Sequence, residues 1–547
     1  MSALIEDFEF EQAEASLAEI APQFDKEHLP EARLFNPWVV AIVVTIGTFM
    51  EVLDTSIANV ALPHISGSLS ASQDEGSWVL TSYLVANAVV LPISGWLSSL
   101  MGRKKFYLTS VFFFTVFSAA CGMAPTLGML ILFRVLQGLA GGGLQPSVQA
   151  ILADTFSAQK RGMAMALYTV AILVAPVLGP TLGGWITDNY SWRWIFYINI
   201  PVGILCVFLT RIVLEDPPYM KEAKAAARKV AVDWAGLGFI SLGLATLEIV
   251  LDKGQELDWF GSPFIIAFAT ISAAALLAAV FWELNTKNPV VNLRLMKERN
   301  FLFCCLIMMG LYGVLYATTY LLPTFMQHMM GYDATTAGLV LSPAGLCTMI
   351  EVPFVGYILT RGYDPRKMVA CGVLIIASSL WWMSSLNLDV AKHNLIVPRI
   401  VQVLGLGLVT VPVSTIVFRF IPKTESSQGA GLYALMRNEG GSIGIALVST
   451  MLQRRAQVFQ TVLGQHMTAS SPMVQEAFAH LSAVPGNHAD NRYFALAQLY
   501  QAMQRQALLL SYMDQFKMLA GVMLCMLPLV FFLKRPPVQK HMELDAH

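Results

Sequence analysis

Charge is what this 547-residue chain has least of: Asp, Glu, Lys and Arg together make up 13%, about half of the roughly 25% carried by a soluble domain. With 56% hydrophobic residues and a mean hydropathy of +0.59, it is solvated mostly by lipid. Cysteine is also sparse. The seven (Cys121, Cys206, Cys304, Cys305, Cys347, Cys371, Cys525) fall inside apolar stretches with no C-x-x-C spacing, which argues against a disulfide framework and a metal site. The nine histidines are scattered through termini and loops without H-x-x-x-H spacing, which counts against a membrane enzyme acting on lipid. No cofactor and no metal are expected. A net charge of −1 gives no sign of a nucleic-acid partner. The first 36 residues lack a basic n-region, with nine acids against Lys26 and Arg33, so they read as a cytoplasmic lead-in rather than a signal peptide. Leu4, Ile5, Phe8, Leu17 and Ile20 allow a short amphipathic helix there.

What the chain has instead is long apolar runs. About 20 helical residues cross a bilayer, and fourteen stretches reach that length. The expected fold class is therefore all-α integral membrane with 14 transmembrane helices. Most of the 35 Lys and Arg lie in alternate loops on the side of the N-terminus, which sets both termini as cytoplasmic. Arg134, Arg399 and Arg437 are the exceptions, inside apolar stretches.

An internal repeat divides the chain. FRVLQGLAGGG around Arg134 and Gln137 recurs as PRIVQVLGLGL around Arg399 and Gln402, at an offset of 265. ALYTV at Tyr168 and Gly179 recur at the same offset as GLYAL at Tyr433 and Gly444. Two six-helix bundles plus two inserted helices follow, with a central site near the bilayer midplane. The expected parts are a cytoplasmic segment 1–36, an N-terminal bundle 37–214, and a linker with inserted helices 7 and 8 over 215–299. A C-terminal bundle 300–533 and a tail 534–547 complete the chain. Within 453–512 the C-terminal bundle carries a long outer loop, a candidate docking surface.

The first apolar run, Trp38–Pro63, holds Glu51 and Asp54 three residues apart, on one helical face. A charge at membrane depth costs roughly 2.5–3.5 kcal/mol, so such residues face a bundle interior or a wet cavity. Two carboxylates in so poorly solvated a place do not both ionise easily, and such a pair can take up and release a proton. Arg134, an intramembrane cation, needs a partner, and Glu351 in helix 10 is a further coupling candidate. Tyr312, Tyr316 and Tyr320 recur every four residues, with Phe325 beyond. With Met50, Gln137, Gln145 and Asn438 they are candidates for a soft amphipathic cavity. Arg437, Asn438 and Glu439 (RNEGG) are read as snorkelling or pairing locally near the inner end of helix 13, and Glu248 and Asp252 as structural groups near water. Gly95, Gly102, Arg103 and Lys104 (GWLSSLMGRKK) form a tight basic turn. Pro176, Gly179, Pro180, Gly183 and Gly184 form a hinge or seal in helix 5.

These strings resemble the motifs of the major facilitator superfamily, specifically the fourteen-helix drug:proton antiporters and, within these, the EmrB-type pumps. LDTSIANVALP resembles the first-helix motif and GWLSSLMGRKK the loop motif. RVLQGLAGGG resembles the fourth-helix arginine motif, and APVLGPTLGGWITDNYSWRWIFYINIPVG the antiporter motif. The resemblance implies the major facilitator fold and proton-driven multidrug efflux from the cell inner membrane by alternating access. It also implies a periplasmic adaptor (membrane fusion protein) and an outer-membrane channel as partners. One departure stands out: Ser99 occupies the place where the loop motif carries an acid, which puts an acid-based latch in doubt. Export of one endogenous compound, a siderophore or fatty acid, is the alternative within the same fold.

Overall fold

The structure is a computed structural model. It describes residues 35–157, 160–216, 233–287, 289–332, 334–388, 390–419, 421–422, 425–468, 471–482 and 491–534. Among these there is no strand, as a lipid-solvated chain requires unless it closes a barrel: backbone N–H and C=O groups must find partners within the segment. The N-terminal segment and the tail beyond Lys534, with the amphipathic helix expected near Leu4, lie outside the described residues.

The first lobe is built of α1 (Pro37–Ser68), α2 (Gln73–Met101), α3 (Arg103–Met123), α4 (Leu127–Gly141), α5 (Leu144–Thr155), α6 (Arg161–Asn189), α7 (Trp194–Tyr197) and α8 (Asn199–Val213). The inserted pair is α9 (Trp234–Lys253) and α10 (Pro263–Asn285). The second lobe holds α11 (Arg299–Met330), α12 (Ala334–Thr360), α13 (Pro365–Met383), α14 (Lys392–Val417), α15 (Ser426–His466), α16 (Pro472–Ser482) and α17 (Asn491–Phe531). Local chemistry sets several starts. Asn36 caps α1 by accepting from the Trp38 N–H at 3.0 Å, and Pro37 at the first position loses no helical hydrogen bond. Ser72 and Glu75 form a reciprocal capping box on α2.

Twelve of these helices, counting α4–α5 and α7–α8 as single passes, are long and apolar enough to cross a membrane, and thirteen if the two arms of α6, bent near Pro176, count as one span. The remaining expected span, 429–452, is the first part of α15, which is not apolar enough to count. Its low hydropathy comes chiefly from Arg437, Asn438 and Glu439, and its glycines have a packing role. Gly440 and Gly444 stand against the backbone of Met309 and Gly313 on α11 with no room for a side chain, the small-residue contact by which membrane helices approach closely.

The long outer loop expected over 453–512 is mostly helix. α15 and α17 are 41 residues each, roughly 60 Å at 1.5 Å per residue, twice the hydrocarbon thickness. Charges end the apolar run without ending the helix, because Arg455 pairs with Asp514 at 3.2 Å and the Ser511 hydroxyl donates to Leu452 O at 2.6 Å.

The lobes meet along α6–α12 and α2–α15, with lesser contacts α5–α15 and α6–α14. α9 packs on α10 and lies over the α2–α15 seam, touching both lobes.

Candidate functional site

Asp54 and Glu51 lie on α1, 2% and 3% exposed. Each sits in its own nest of donors rather than sharing one site. Asp54 Oδ2 accepts from the Arg134 guanidinium at 2.7 Å. Its Oδ1 accepts from Gln137 Nε2 at 3.1 Å and Asn199 Nδ2 at 2.6 Å. Arg134, fully buried, also donates to Gln137 Oε1 at 2.9 Å and Val79 O at 3.1 Å, and lies 4.2 Å from the centre of the Tyr83 ring. Glycine makes that reach possible. A Cβ on Gly138 would come within 2.5 Å of Tyr83 O, so only glycine lets α4 settle this close to α2.

Glu51 is held differently. Its Oε1 accepts from Asn87 Nδ2 at 3.1 Å and Gln145 Nε2 at 3.2 Å, while Oε2 is buried without a protein partner. Gln145 follows the break at Gly142–Gly143 that separates α4 from α5. Its carbonyl accepts from Arg437 of the second lobe. Arg437 also donates to Tyr168 at 3.1 Å and stands 5.2 Å from the centre of the Tyr312 ring. Arg437 is thus no local pair, as its sequence neighbours suggest; it crosses the seam and ties Glu51, through one amide, to the other lobe.

Sequence reasoning passed over Asn87 and Asn199, and took Tyr168 only as a marker of the repeat. Their signal is a polar side chain within an otherwise apolar run, the same one that singled out Gln137.

Other expected residues fall elsewhere. Gln137 is fully buried and spent on Asp54 and Arg134, so it offers nothing to a substrate. Met50 is packed in the core beside the nests. Tyr312 and Tyr316 face the seam, but Tyr320 is 38% exposed, because eight residues advance a helix by roughly 80° beyond two full turns. Phe325 packs on Tyr512 of α17, ring centres 5.3 Å apart, away from the seam. Asn438 is half-buried. Glu351 presses its carboxyl against Gly407 of α14 within the second lobe, both oxygens without a protein hydrogen bond, apart from either nest.

Between the lobes a cavity of about 60 Å³ is lined by residues including Leu173, Tyr316, Thr319, Leu341, Thr348 and Arg399. That is well below the roughly 300–1,000 Å³ of a site for a drug-sized molecule, so such a molecule enters only when the lobes part. Arg399 is the repeat of Arg134, yet no carboxylate pairs with it among the described residues. It donates to Thr318 at 3.1 Å, Thr319 at 3.0 Å and Gln402 at 2.6 Å.

The basic turn closes one end of the seam. Gly95 touches the backbone of Ser427 and Gln428, where a Cβ would lie 2.5 Å from each. Buried Arg103 pairs with Asp154 on α5 and donates across the seam to Ser427 at 3.0 Å and Ser426 at 2.9 Å. Ser99 only hydrogen-bonds back to Gly95 O at 2.9 Å. The contact between lobes therefore runs through Arg103 and two hydroxyls, without an acid at position 99. Gly102 has φ +88°, a left-handed conformation that favours glycine, and the Lys104 N–H is capped by Asp216 at 2.8 Å.

In α6, Gly179 packs on Ser56 of α1, and Ser56 donates to Pro176 O at 3.1 Å. Gly183 meets Ile57. Gly184 faces open space and makes no close contact, and the side chain of Pro180 lies outside the described residues.

Residues 44–445 match the family model of the Major Facilitator Superfamily. The chain is 34% identical to the multidrug export protein EmrB of Escherichia coli (strain K12) over 501 residues, 91% of this chain and 95% of that one. It is 36% identical to the fatty acid resistance protein FarB of Neisseria gonorrhoeae over 445 residues, 81% of this chain and 86% of that one. The human organic anion transporter MFSD10 (TETRAN) shares the fold, with TM-score 0.59, 14% identity, and 91% and 100% of the two chains covered. Its two lobes, its buried ion pair inside a helical bundle and its full-length likeness to curated exporters agree: the chain belongs to the Major Facilitator Superfamily and is a multi-pass membrane transporter of the EmrB multidrug-export type.

Proposed function

We propose that efflux by this chain is driven by protons, with Glu51 and Asp54 as the coupling carboxylates. The observation that carries this is the pair of nests on α1, one of which reaches the opposite lobe through Gln145 and Arg437. Asp54, neutralised by Arg134 and two amides, sets the geometry. Glu51, with an unpartnered oxygen, is the group whose charge changes at least structural cost. Protonation of Glu51 weakens the hold of Gln145 and hence of Arg437, so the two orientations of the lobes bind a proton with different affinity, which coupling requires. The closed basic end then faces the cytoplasm, with both termini inside and the chain in the inner membrane.

The projecting ends of α15 and α17, which expose Val458, Val462, Tyr493, Leu496 and Tyr500, are the surface offered to a periplasmic adaptor leading to an outer-membrane channel. Efflux of several unrelated dyes from vesicles, with and without a proton gradient, tests the reading. Wild-type efflux should need the gradient and Asp54→Asn should lose that dependence. Undiminished gradient-driven efflux by Asp54→Asn would refute the assignment.

A second reading of the substrate rests on Arg399. A buried cation with no acid, at the wall of an otherwise apolar cavity, favours amphipathic anions. The relative named for fatty acid resistance suits such a preference. Long-chain carboxylates belong in the dye panel for that reason.

A further inference from the structure

A second set of buried acids lies away from α1, at the joint of the inserted pair. Glu248 on α9 is 1% exposed and Glu439 on α15 is 7% exposed. The Ser442 hydroxyl, one turn beyond Glu439, donates to Glu248 Oε1 at 2.8 Å. Glu248 Oε2 and both oxygens of Glu439 are buried without a partner. Among the described residues neither acid forms an ion pair.

The surrounding charges are engaged elsewhere. On α9, Asp252 accepts from Thr81 of α2 at the exposed rim, and Lys253 bonds Ser77 of α2 and pairs with Glu256 at 2.6 Å. On α15, Arg437 is turned to Tyr168 and Gln145. On α17, Asp514 pairs with Arg455. On α11, Tyr312 faces Arg437, and on α10 the buried acid Glu283 lies toward the opposite end, at Val291.

The mechanical setting gives these acids a use. α9 and the turn after it hold both lobes at once: the first through Thr81 and Ser77, the second through Glu248–Ser442, Trp259–Thr450 at 2.9 Å and Gln255–Gln453 at 2.6 Å. Lobes that rock cannot keep both sets of contacts. Two buried carboxylates, one turn of α15 apart through Ser442, lie at this joint without a cation, so the joint closes only if at least one of them carries a proton. Losing it leaves two like charges in a desolvated place and drives α9 from α15.

We propose that Glu248 and Glu439 form a proton-binding site, separate from Glu51 and Asp54, that clasps the inserted pair to the second lobe when protonated and releases it when not. The antiport reading is needed only for the use of this site in transport, not for its existence. The test counts protons taken up by the purified full-length protein in detergent between about pH 9 and pH 6, a window in which an ordinary carboxylate of pKa about 4.3 stays ionised, without any transport step. Glu248→Gln/Glu439→Gln should take up one proton fewer per molecule than wild type, and the same deficit should appear when Asp54→Asn is the parent. Equal uptake by wild type and the double variant would overturn the proposal. So would a deficit present in choline chloride and absent in sodium chloride, which would assign the site to a metal cation. Should the double variant fail to fold, Glu439→Gln alone serves, with the same two outcomes. In proteoliposomes the double variant should export a dye with a pH profile flattened several-fold, whereas an unchanged profile would remove the clasp from the transport cycle. If Asp54→Asn keeps gradient-driven efflux while the proton deficit stands, the coupling reading alone fails.

Discussion

The two lobes carry the same arginine motif and use it oppositely. In the first, Arg134 and Gln137 converge on a carboxylate, Asp54. In the second, Arg399 and Gln402 converge in the same manner on a hydroxyl, Thr318, with Thr319 beside it. The offset of 265 that relates the arginines carries Asp54 onto Thr319 and Glu51 onto Tyr316. Duplication thus kept the cation and amide in both halves while the acids stand in one alone. On the proposed reading the paired cation serves coupling and the one without an acid, at a cavity wall, serves anion binding. The difference teaches that a repeat copies geometry, and that one side chain per copy decides its chemistry.

The comparison breaks most visibly at Asp54. Asp54→Asn strands Arg134 as a buried cation, and breaking a buried pair this way costs roughly 3–5 kcal/mol. A lower folded yield in detergent and loss of gradient-dependent efflux are expected together. Next comes Arg399→Gln. Hydrogen bonds to charged groups contribute about 1.5–3 kcal/mol, so export of a long-chain carboxylate should weaken by roughly 10–100-fold while cationic dyes change little; equal loss of both would make Arg399 structural. Thr318→Asp sharpens the point by giving the second lobe the acid it lacks. Anion export should fall by about tenfold, the loss of one such bond, without loss of fold.

Glu51→Gln should be milder still. Asn87 and Gln145 can donate to an amide oxygen as they do to the carboxylate, so folding stability should move by about 1 kcal/mol or less while the pH response of efflux shrinks to the part supplied by Glu248 and Glu439. A preserved pH response would shift the coupling role wholly to Asp54. The smallest effect on transport belongs to the seam contact. Ser426→Ala with Ser427→Ala removes two hydroxyl acceptors from the Arg103 guanidinium, each bond to a charged group worth about 1.5–3 kcal/mol. A Tm lowered by a few degrees is expected, as is labelling of a cysteine placed behind the seam from the basic side.

Much of this was legible in the chain. Apolar runs longer than a bilayer is thick, the excess of Lys and Arg in alternate loops and the repeat of Arg134/Gln137 as Arg399/Gln402 identify the helical bundles and their duplication. Asp54 and Arg134 each announce a partner, since neither charge is tolerated alone at that depth. The pairing itself needed the fold. Asp54 on α1 and Arg134 on α4 are 80 residues apart in the chain, and the close approach of α4 to α2 at Gly138 brings Arg134 within reach. The tyrosine series misled because a step of four residues drifts around the helix, so Tyr320 leaves the face that Tyr312 begins.

The amino-acid sequence by itself determined the class of molecule, its duplicated halves and which buried charges demand an explanation, because hydropathy and charge cost are local properties of a segment. Tertiary structure alone decided that Glu51 and Asp54 sit in separate nests, that Arg437 crosses the seam and that Glu248 and Glu439 are buried at one joint. Those outcomes depend on which faces of distant helices are pressed together, and helix–helix approach is set by the small residues of both partners rather than by either one.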